Sequence, residues 1–392
     1  MTCDFDVAIV GGGPAGSSTA LHLVRKEGID GGRVVIIDKA RFPREKPCAG
    51  AVSQLGVDEL TAIGIDVRVP SVEMRGVRVI SSDDVGETEY PMGIVVRRTE
   101  FDAQLLDDAR SDGVLVREGD GLDAIERIDA SEGGGYRLTT KDGSFTARYV
   151  AACDGAGSKT RKALGLKEPE RKGHLYVLET EPNGKDTGID RGLVDFDLSV
   201  LDDGLEGYYW DFPTPIGGTT QVSRGIYHAN FTARSDVKAV LGRHLAKRGV
   251  DIDKVKLKPF STRPFVAGST TWLRDLLFVG EAAGIDHTTG EGIAQAIAMG
   301  RIAAMHLSRA LRERRTTFHD YDRDVRESVV GRHLLQSAVL ARLVYGRFGR
   351  PGRKYLLRSS YAREQALRWY RGETLPMFNQ VKLGLGLLTS AF

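Results

Sequence analysis

The 392-residue sequence predicts an α/β protein with a Rossmann-like domain, an inserted antiparallel-sheet domain and a helical C-terminal extension. Three observations support this fold class. The N-terminal region has the pattern strand, tight turn, helix and strand. From about Tyr176 to Phe265, short alternating apolar runs are separated by Gly, Pro and Asp turns, and the chain from about Tyr321 has helical periodicity. The predicted boundaries are 1–172 for the first part of the Rossmann-like domain, 173–268 for the sheet domain, 269–320 for the return to the first domain and 321–392 for the extension.

Composition and charge exclude several classes of protein. The chain carries 55 Lys+Arg against 53 Asp+Glu, so its net charge gives no case for a nucleic-acid partner. The three cysteines are too few and too widely spaced for a disulfide framework, and neither they nor the histidines have metal-ligand spacing. The charge-free run from Val7 to Val24 follows two aspartates and is broken by glycines, which is unlike a signal peptide or a membrane span. We therefore expect a cytoplasmic protein without a metal.

The first elements are a strand at Asp4–Val10, a helix at Pro14–Lys26 and a strand at Arg33–Asp38. The turn between the first strand and the helix reads G-x-G-x-x-G. In such a turn the first glycine permits a tight bend, the second lets a pyrophosphate approach and the third lets helix and strand pack closely. The residues concerned are Gly11, Gly13, Pro14, Ala15 and Gly16.

The end of the second strand strengthens this interpretation. Asp38 stands 22 residues after Gly16, where a carboxylate accepts a hydrogen bond from a ribose hydroxyl, and Lys39 follows it. An ordinary glycine-rich turn is the alternative. The chain has one such loop, so the sequence predicts a single dinucleotide site of this type.

The later elements of the first domain are a helix at about Phe101–Ser111, a strand at Gly143–Asp154 and a buried strand at Leu276–Gly280. A long helix follows, with apolar residues spaced helically from Ile293 to Leu311. Gly290 and Gly292 stand before this helix, at the positive end of its dipole.

Five further motifs occur in order along the chain: KPCAG at 46–50, RTEFD at 98–102, CDGAGSKTR at 153–161, GEAAG at 280–284 and TGEGI at 289–293. Together they resemble the FAD-dependent group that contains the aromatic hydroxylases, the flavin halogenases and the geranylgeranyl reductases. The resemblance spans about residues 4 to 311 and implies bound FAD. Beside the glycine loop it implies cofactor contacts from Cys48, Ala49, Arg98, Asp154, Gly155, Gly280, Glu281, Gly290, Gly292 and Ile293.

The run YYWDFP at 208–213 points to one branch of this group. It resembles the Tyr-x-Trp-x-Phe-Pro motif of geranylgeranyl reductases, whereas the halogenases carry Trp-x-Trp-x-Ile-Pro. The resemblance implies that Tyr208, Trp210 and Phe212 line a substrate cavity. On a strand these side chains share one face, and aromatics with period two are also typical of a sheet core. Two departures are Glu281, where the family usually has Asp, and His287, where it commonly has Pro.

Two residues are candidate proton donors. The resemblance implies that Cys48 lies beside the flavin ring, although a small residue in a tight loop is an equal alternative. His287 is the one histidine in a flavin-adjacent motif, and a neutral structural role is its alternative.

The C-terminal extension is basic. Between Arg332 and Arg371, ten Lys and Arg residues stand against one acidic residue, Glu364, with apolar residues interleaved. Such a segment can contact an anionic membrane surface. The alternative is a helical cover whose arginine stems pack along the body of the protein.

The resemblance implies an FAD-dependent reductase that saturates C=C bonds of a lipophilic, isoprenoid-like substrate, with electrons from NAD(P)H or a reduced redox protein. A flavin monooxygenase or halogenase acting on an aromatic or polyketide-like substrate is the second hypothesis, because the fold permits both. A non-catalytic flavin-binding partner is the third. The sequence does not predict an oligomeric state.

Overall fold

The computed structural model describes residues 3–82, 84–167, 172–178, 188–231, 236–285, 288–345 and 349–389. The strands within them are β1 Phe5–Val10, β2 Val34–Asp38, β3 Ala51–Ser53, β4 Ser71–Ser81, β5 Asp84–Val96, β6 Leu115–Glu118, β7 Leu122–Arg127, β8 Tyr136–Thr140, β9 Gly143–Ala152, β10 Lys172–Leu178, β11 Leu193–Asp197, β12 Gly207–Ile216, β13 Thr219–Phe231, β14 Leu257–Thr262, β15 Trp272–Leu273 and β16 Leu276–Phe278. The helices are α1 Pro14–Arg25, α2 Gln54–Thr61, α3 Arg98–Ser111, α4 Lys159–Ala163, α5 Val237–Lys247, α6 Ile293–Glu313, α7 His319–Glu327, α8 Val329–Val344, α9 Gly349–Arg358, α10 Ser360–Tyr370 and α11 Met377–Thr389.

The first sheet is the Rossmann-like one. Its order is β15-β16-β9-β1-β2-β6, and β16, β9, β1, β2 and β6 run parallel. The residues Val7–Val10 and Val34–Ile37 are buried apolar runs, as expected where helices cover both faces of a parallel sheet. Helices α1 and α6 pack closely, and the Ser18 hydroxyl donates to the Ile297 carbonyl at 2.7 Å. The predicted strands, the predicted α1 and the long predicted helix at α6 are confirmed.

The second sheet has the order β14-β10-β13-β12-β11-β4-β5-β3. It is antiparallel except where β4 pairs in parallel with β11, with Gly76 opposite Leu193. The sheet is therefore built from two separate parts of the chain. The predicted boundary, which placed all of 1–172 in the first domain, is wrong for residues 51–96, because these strands pair with the second sheet.

Two features of the second domain were not predicted. The sequence of strands β3 to β5 does not indicate which distant strand they pair with, because pairing depends on the register of the whole sheet. Helix α5 lies within the stretch that the sequence analysis interpreted as strands and turns, and it covers one face of the second sheet with Val240, Leu241 and Leu245.

The C-terminal extension is helical, as predicted, and α10 covers the other face of the second sheet. Leu367, Trp369 and Tyr370 of α10 join a buried cluster with Trp210 and Phe212 of β12. The Arg363 guanidinium fastens the extension to β5, because it donates to the Glu87 carbonyl at 2.9 Å and to Leu357 O at 2.8 Å. No helix in the described part of the chain is long and apolar enough to cross a membrane.

Candidate active site

The glycine loop lies between β1 and α1. Gly11 has φ +108°, and a Cβ on Gly16 would lie 1.8 Å from the Gly11 carbonyl oxygen, so neither position admits a side chain. Helix α1 begins at Pro14 and has Gly13 as its N-cap with no side-chain cap. The first N–H groups of the helix therefore stay available at its positive end, which is the arrangement that binds a phosphate.

Asp38 fixes the geometry of this loop. Its Oδ2 accepts a hydrogen bond from the Gly12 N–H at 2.8 Å, and its Oδ1 accepts one from the Ala40 N–H at 2.8 Å. A carboxylate has further lone pairs, so Asp38 retains capacity for a ligand hydroxyl. Lys39 is exposed and packs its stem beside Gly121, where a Cβ would lie 2.7 Å from the Lys39 Cβ.

A buried carboxylate joins two arginines next to the loop. Arg98 Nε and Nη2 each donate to the Asp102 carboxylate at 2.7 Å, and Arg44 Nη2 donates to the same group at 2.9 Å. Arg44 Nη1 is buried and has no hydrogen-bond partner among the residues that the structure describes. A Cβ on Gly13 would lie 3.4 Å from Arg44 Nη2, so this cation borders the phosphate-binding loop.

Arg44 is the functional residue that the sequence analysis missed. The motif at 98–102 marked Arg98, and Asp102 was visible in the same motif. Nothing in the sequence distinguishes Arg44 from a surface arginine, because its position depends on the path of the loop after β2.

The segment around Cys48 lies against Arg98. The Cys48 Sγ accepts a hydrogen bond from the Gly50 N–H at 3.3 Å, and the Arg98 side chain is also hydrogen-bonded to Cys48. Burial lowers the pKa of Lys46 to about 8, and its Nζ lies 2.8 Å from the Phe260 ring centroid. Ala49 packs against the aromatic cluster of the second sheet.

A third carboxylate group follows β9. Asp154 Oδ2 accepts hydrogen bonds from the Thr160 N–H at 2.8 Å and from the Thr160 hydroxyl at 2.9 Å. Asp154 Oδ1 is buried without a partner in the described ranges, which marks it as an acceptor for a bound hydroxyl. A Cβ on Gly155 would lie 3.8 Å from Glu281 Oε2, and burial raises the pKa of Glu281.

The loop before α6 connects the two sheets. Gly280 has φ +62° and lies against Ala15 of α1, while Gly292 caps α6 and Ile293 begins it. The Tyr208 hydroxyl donates to the Thr289 carbonyl. The Tyr227 ring fills the space beside Gly290, where a Cβ would lie 3.2 Å from it.

This loop is also held from the C-terminal extension. The Thr288 hydroxyl donates to the Ser337 carbonyl of α8 at 2.7 Å, and the Tyr345 hydroxyl donates to the Thr288 carbonyl. The residues 288–293 thus contact the first domain, β12 and the extension.

Tyr208, Trp210 and Phe212 share one face of β12, as predicted. They are almost wholly buried. The Phe196 ring makes a tilted contact with Tyr208 and an edge-to-face contact with Phe212, with ring centroids 4.8 Å and 5.3 Å apart. The indole of Trp210 lies over Gly225, where a Cβ would be 2.2 Å from the ring. Trp210 Nε1 is buried and has no acceptor among the described residues. The three side chains therefore form a packed layer with one unused donor.

The structure brings most of the predicted residues into one connected set. Contacts run from the glycine loop through Arg44, Asp102 and Arg98 to Cys48, and from Gly155 through Glu281 toward Lys46. His287, the second candidate proton donor, lies outside the described residues.

Comparison with known proteins gives this set a family context. Residues 4–187 match the family described as FAD binding domain. The chain is 27% identical over 353 residues to the digeranylgeranylglycerophospholipid reductase of Picrophilus torridus, which covers 85% of this chain and 86% of that protein. It is 26% identical over 328 residues to the menaquinone reductase of Mycobacterium tuberculosis, which covers 76% of this chain and 75% of that protein.

Solved structures share the fold. A geranylgeranyl bacteriochlorophyll reductase-like protein from Thermoplasma acidophilum has a TM-score of 0.71 at 20% identity, covering 98% of this chain and 95% of that one. CmlS, a flavin-dependent halogenase, has a TM-score of 0.63 at 20% identity, covering 98% of this chain and 70% of that one. These likenesses confirm the predicted fold class, and together with the FAD binding domain match and the reductase relatives they confirm the predicted resemblance to the FAD-dependent group.

Proposed function

The protein is an FAD-dependent oxidoreductase, and we propose that it reduces C=C bonds of a lipophilic, isoprenoid-like substrate. One observation carries the proposal: the Tyr208 hydroxyl joins the aromatic face of β12 to the Thr289 carbonyl, in the loop that precedes α6. An apolar, aromatic surface thereby borders the positive end of α6. The names of the two relatives, both reductases of lipids or quinones, support the same class of substrate.

The described residues fit FAD. The uncapped end of α1 and the unpaired Arg44 Nη1 suit a pyrophosphate, and Asp38 suits a ribose hydroxyl. The unpaired Asp154 Oδ1 suits a hydroxyl of the flavin side chain, with Glu281 beside it. Gly290, Gly292 and Ile293 would place backbone N–H groups at the flavin ring.

Alkene reduction adds a hydride to one carbon and a proton to the other. Reduced FAD supplies the hydride when it is bound. Cys48 is the described candidate for the proton, which would leave its Sγ while Arg98 remains in contact with the resulting thiolate. His287 is the second candidate. The buried side chains of Trp210 and Phe212 would exclude water from the reacting carbons.

The remaining parts of the proposal concern the surroundings of the enzyme. NAD(P)H or a reduced redox protein would deliver the electrons. We propose a location in the cytoplasm, with peripheral membrane contact through the basic C-terminal extension.

Anaerobic turnover tests the reaction. The flavin-loaded protein is reduced chemically and mixed with a polyprenyl lipid, and mass spectrometry follows the gain of hydrogen pairs. We expect saturated product, together with flavin reoxidation that depends on the lipid. Cys48→Ala should slow the reaction roughly 100-fold, as expected for loss of a positioned proton donor.

The matched control is Cys3→Ala, because Cys3 precedes β1, at the opposite end of that strand from the glycine loop, and its Sγ lies 3.9 Å from the Gly134 carbonyl oxygen. It should keep wild-type turnover. Reduced protein that fails to reduce any lipid, but inserts oxygen into an aromatic compound in air, would overturn the reductase proposal in favour of the monooxygenase.

A further inference from the structure

A small cavity lies between the end of β4 and helix α9, and its lining residues are outside the flavin-binding motifs. Its volume is about 230 Å³. One wall is the helix, which presents Arg350, Arg353, Lys354, Leu357 and Arg358 to it. Counted from Arg350, the other four stand three, four, seven and eight residues further on, so they form a single stripe on α9.

The charges of this stripe are not balanced. Helix α9 has no acidic residue, and like charges three or four residues apart destabilise a helix. Among the described residues, four cationic side chains line the cavity against two acidic ones, Asp84 and Asp202, which leaves an excess of two positive charges within that set. A doubly charged anion would neutralise it.

One of the four cationic side chains, that of Arg353, is buried and hydrogen-bonded within the protein. Arg353 has a 9% exposed side chain, and its Nη2 donates to Asp202 Oδ1 at 2.8 Å while its Nη1 donates to the Leu198 carbonyl at 3.4 Å. It therefore holds α9 against the second sheet. Arg350, Lys354 and Arg358 are exposed, and within the described ranges no carboxylate forms a salt bridge with them.

The opposite wall supplies hydroxyl groups. Ser81 and Ser82 line the cavity, and Ser82 has φ +55°. The Ser82 N–H donates to the Ser199 hydroxyl at 2.8 Å, which fixes this strand end. Phosphate oxygens accept hydrogen bonds from hydroxyl, guanidinium and ammonium groups, and this cavity has hydroxyls on one wall and the cationic groups on the other.

We infer that this cavity binds a phosphate group, either of a free phosphate compound or of a lipid headgroup. Its volume is below the ~300–1,000 Å³ of sites for drug-sized ligands, which suits a phosphate or pyrophosphate. Arg350, Lys354 and Arg358 are the ligating cations, and Arg353 positions the helix. The site is separate from the flavin site and does not depend on the reductase proposal.

The test uses the oxidised, flavin-loaded, full-length protein without an electron donor or alkene, so its result is independent of the reaction. Calorimetry measures binding of inorganic phosphate and pyrophosphate. Sedimentation measures binding to phosphatidylcholine vesicles with and without phosphatidic acid. The double variant Arg350→Gln/Lys354→Gln should weaken binding roughly 100-fold, because each charge-assisted contact contributes about a tenfold change in affinity.

The control is Arg301→Gln/Arg312→Gln on α6, which removes the same charge from exposed pairs with Glu59 and Glu27. Its binding should stay within about twofold of wild type, since exposed pairs contribute little. If the α9 variant loses binding of phosphate or pyrophosphate, the ligand is a soluble phosphate compound. If it loses binding only to the phosphatidic acid vesicles, the ligand is a lipid headgroup. Absence of binding to every probe, or equal weakening in both double variants, overturns the inference.

Discussion

The two faces of β12 differ in chemistry: alternate residues of the strand form an apolar layer on one face and buried charged pairs on the other. Tyr208, Trp210 and Phe212 point to an apolar layer under α10. Tyr209 and Asp211 point to the face under α5, where charges are buried and paired.

The charged face holds a network of buried ion pairs and hydrogen bonds around Asp211. Asp211 accepts from Arg224 Nη1 at 2.7 Å, from Arg248 Nε at 2.6 Å and from the Tyr209 hydroxyl at 2.8 Å. Asp197 is held in the same way: burial opposes its ionisation, but hydrogen bonds from His244 and Ser199 outweigh burial and lower its pKa.

The aromatic face differs because it keeps an unused donor, Trp210 Nε1, and because Tyr208 extends to the loop before α6. The two faces therefore differ in the kind of group that is left without a partner among the described residues. On the charged face it is a carboxylate oxygen, Asp195 Oδ1, and on the aromatic face it is an indole donor, Trp210 Nε1. The indole lies on the face that Tyr208 joins to the loop before α6, which gives that face capacity for a polar ligand group.

The largest effect is expected from breaking the network around Asp211. Asp211→Ala leaves Arg224 and Arg248 without their shared carboxylate, and removing one partner of a buried ion pair costs about 3–5 kcal/mol. We expect that loss in the free energy of unfolding measured in guanidinium chloride. Glu73→Ala removes an exposed carboxylate that pairs with the exposed Arg75 of β4 and should cost less than about 1 kcal/mol. Equal losses would show that the network is not buried in solution.

The next largest effect on stability is expected at Asp195, which is the exception within this network. Burial raises the pKa of Asp195 to about 7, although Arg78 lies 3.6 Å away. The folded protein therefore holds a proton that the unfolded chain releases near pH 4, so wild-type stability falls as pH rises from about 4 to about 7. Asp195→Asn removes this dependence and should raise the free energy of unfolding by about 2 kcal/mol at pH 8.

The measurement for Asp195→Asn is denaturant unfolding at about pH 5 and about pH 8. The difference between variant and wild type should be larger at the higher pH. A difference that is the same at both values would mean that Asp195 is not protonated in the folded protein.

On the aromatic face, Trp210→Phe should cost about 1–2 kcal/mol in unfolding free energy, because the smaller ring leaves space over Gly225. If this face contacts substrate, kcat/KM for a lipophilic substrate falls roughly tenfold as well. Trp272→Phe, in the first sheet, is the control and should leave kcat/KM unchanged. A stability loss without any kinetic change would make the face a core layer alone.

The smallest effect is expected at the loop before α6. Tyr208→Phe removes one hydrogen bond to the Thr289 carbonyl and should cost about 1 kcal/mol. Tyr345→Phe removes the neighbouring bond to the Thr288 carbonyl from the extension. We expect both variants to shift the flavin absorption spectrum. An unchanged spectrum in both would show that the loop is held without these hydroxyls.

The local features of the fold were predictable, since glycine spacing and apolar periodicity determine them. The turn at Gly11 and the helix from Ile293 lie where the sequence predicts them, and α3 begins at Arg98, shortly before the predicted start at about Phe101. The parallel pairing of β4 with β11 was not predictable, because the partner of each strand depends on the register of the whole sheet.

The same distinction holds for the site. Motif positions such as Asp154 and Glu281 lie together, as expected from residues that follow adjacent strands. Arg44 and the network around Asp211 escaped prediction, because they join residues that only the sheet register and loop paths bring into contact. Side-chain pairing across elements has no local period in the sequence.

The pairing of Gly76 with Leu193 also has a consequence for synthesis of the chain. When β4 leaves the ribosome, its partner β11 is more than a hundred residues from being made. At roughly 5–20 residues per second, the hairpin β4–β5 waits on the order of ten seconds with one open edge. Such an edge is a template for association with other chains. The nascent protein is therefore most exposed to aggregation, and to chaperone binding, before the second half of the sheet emerges.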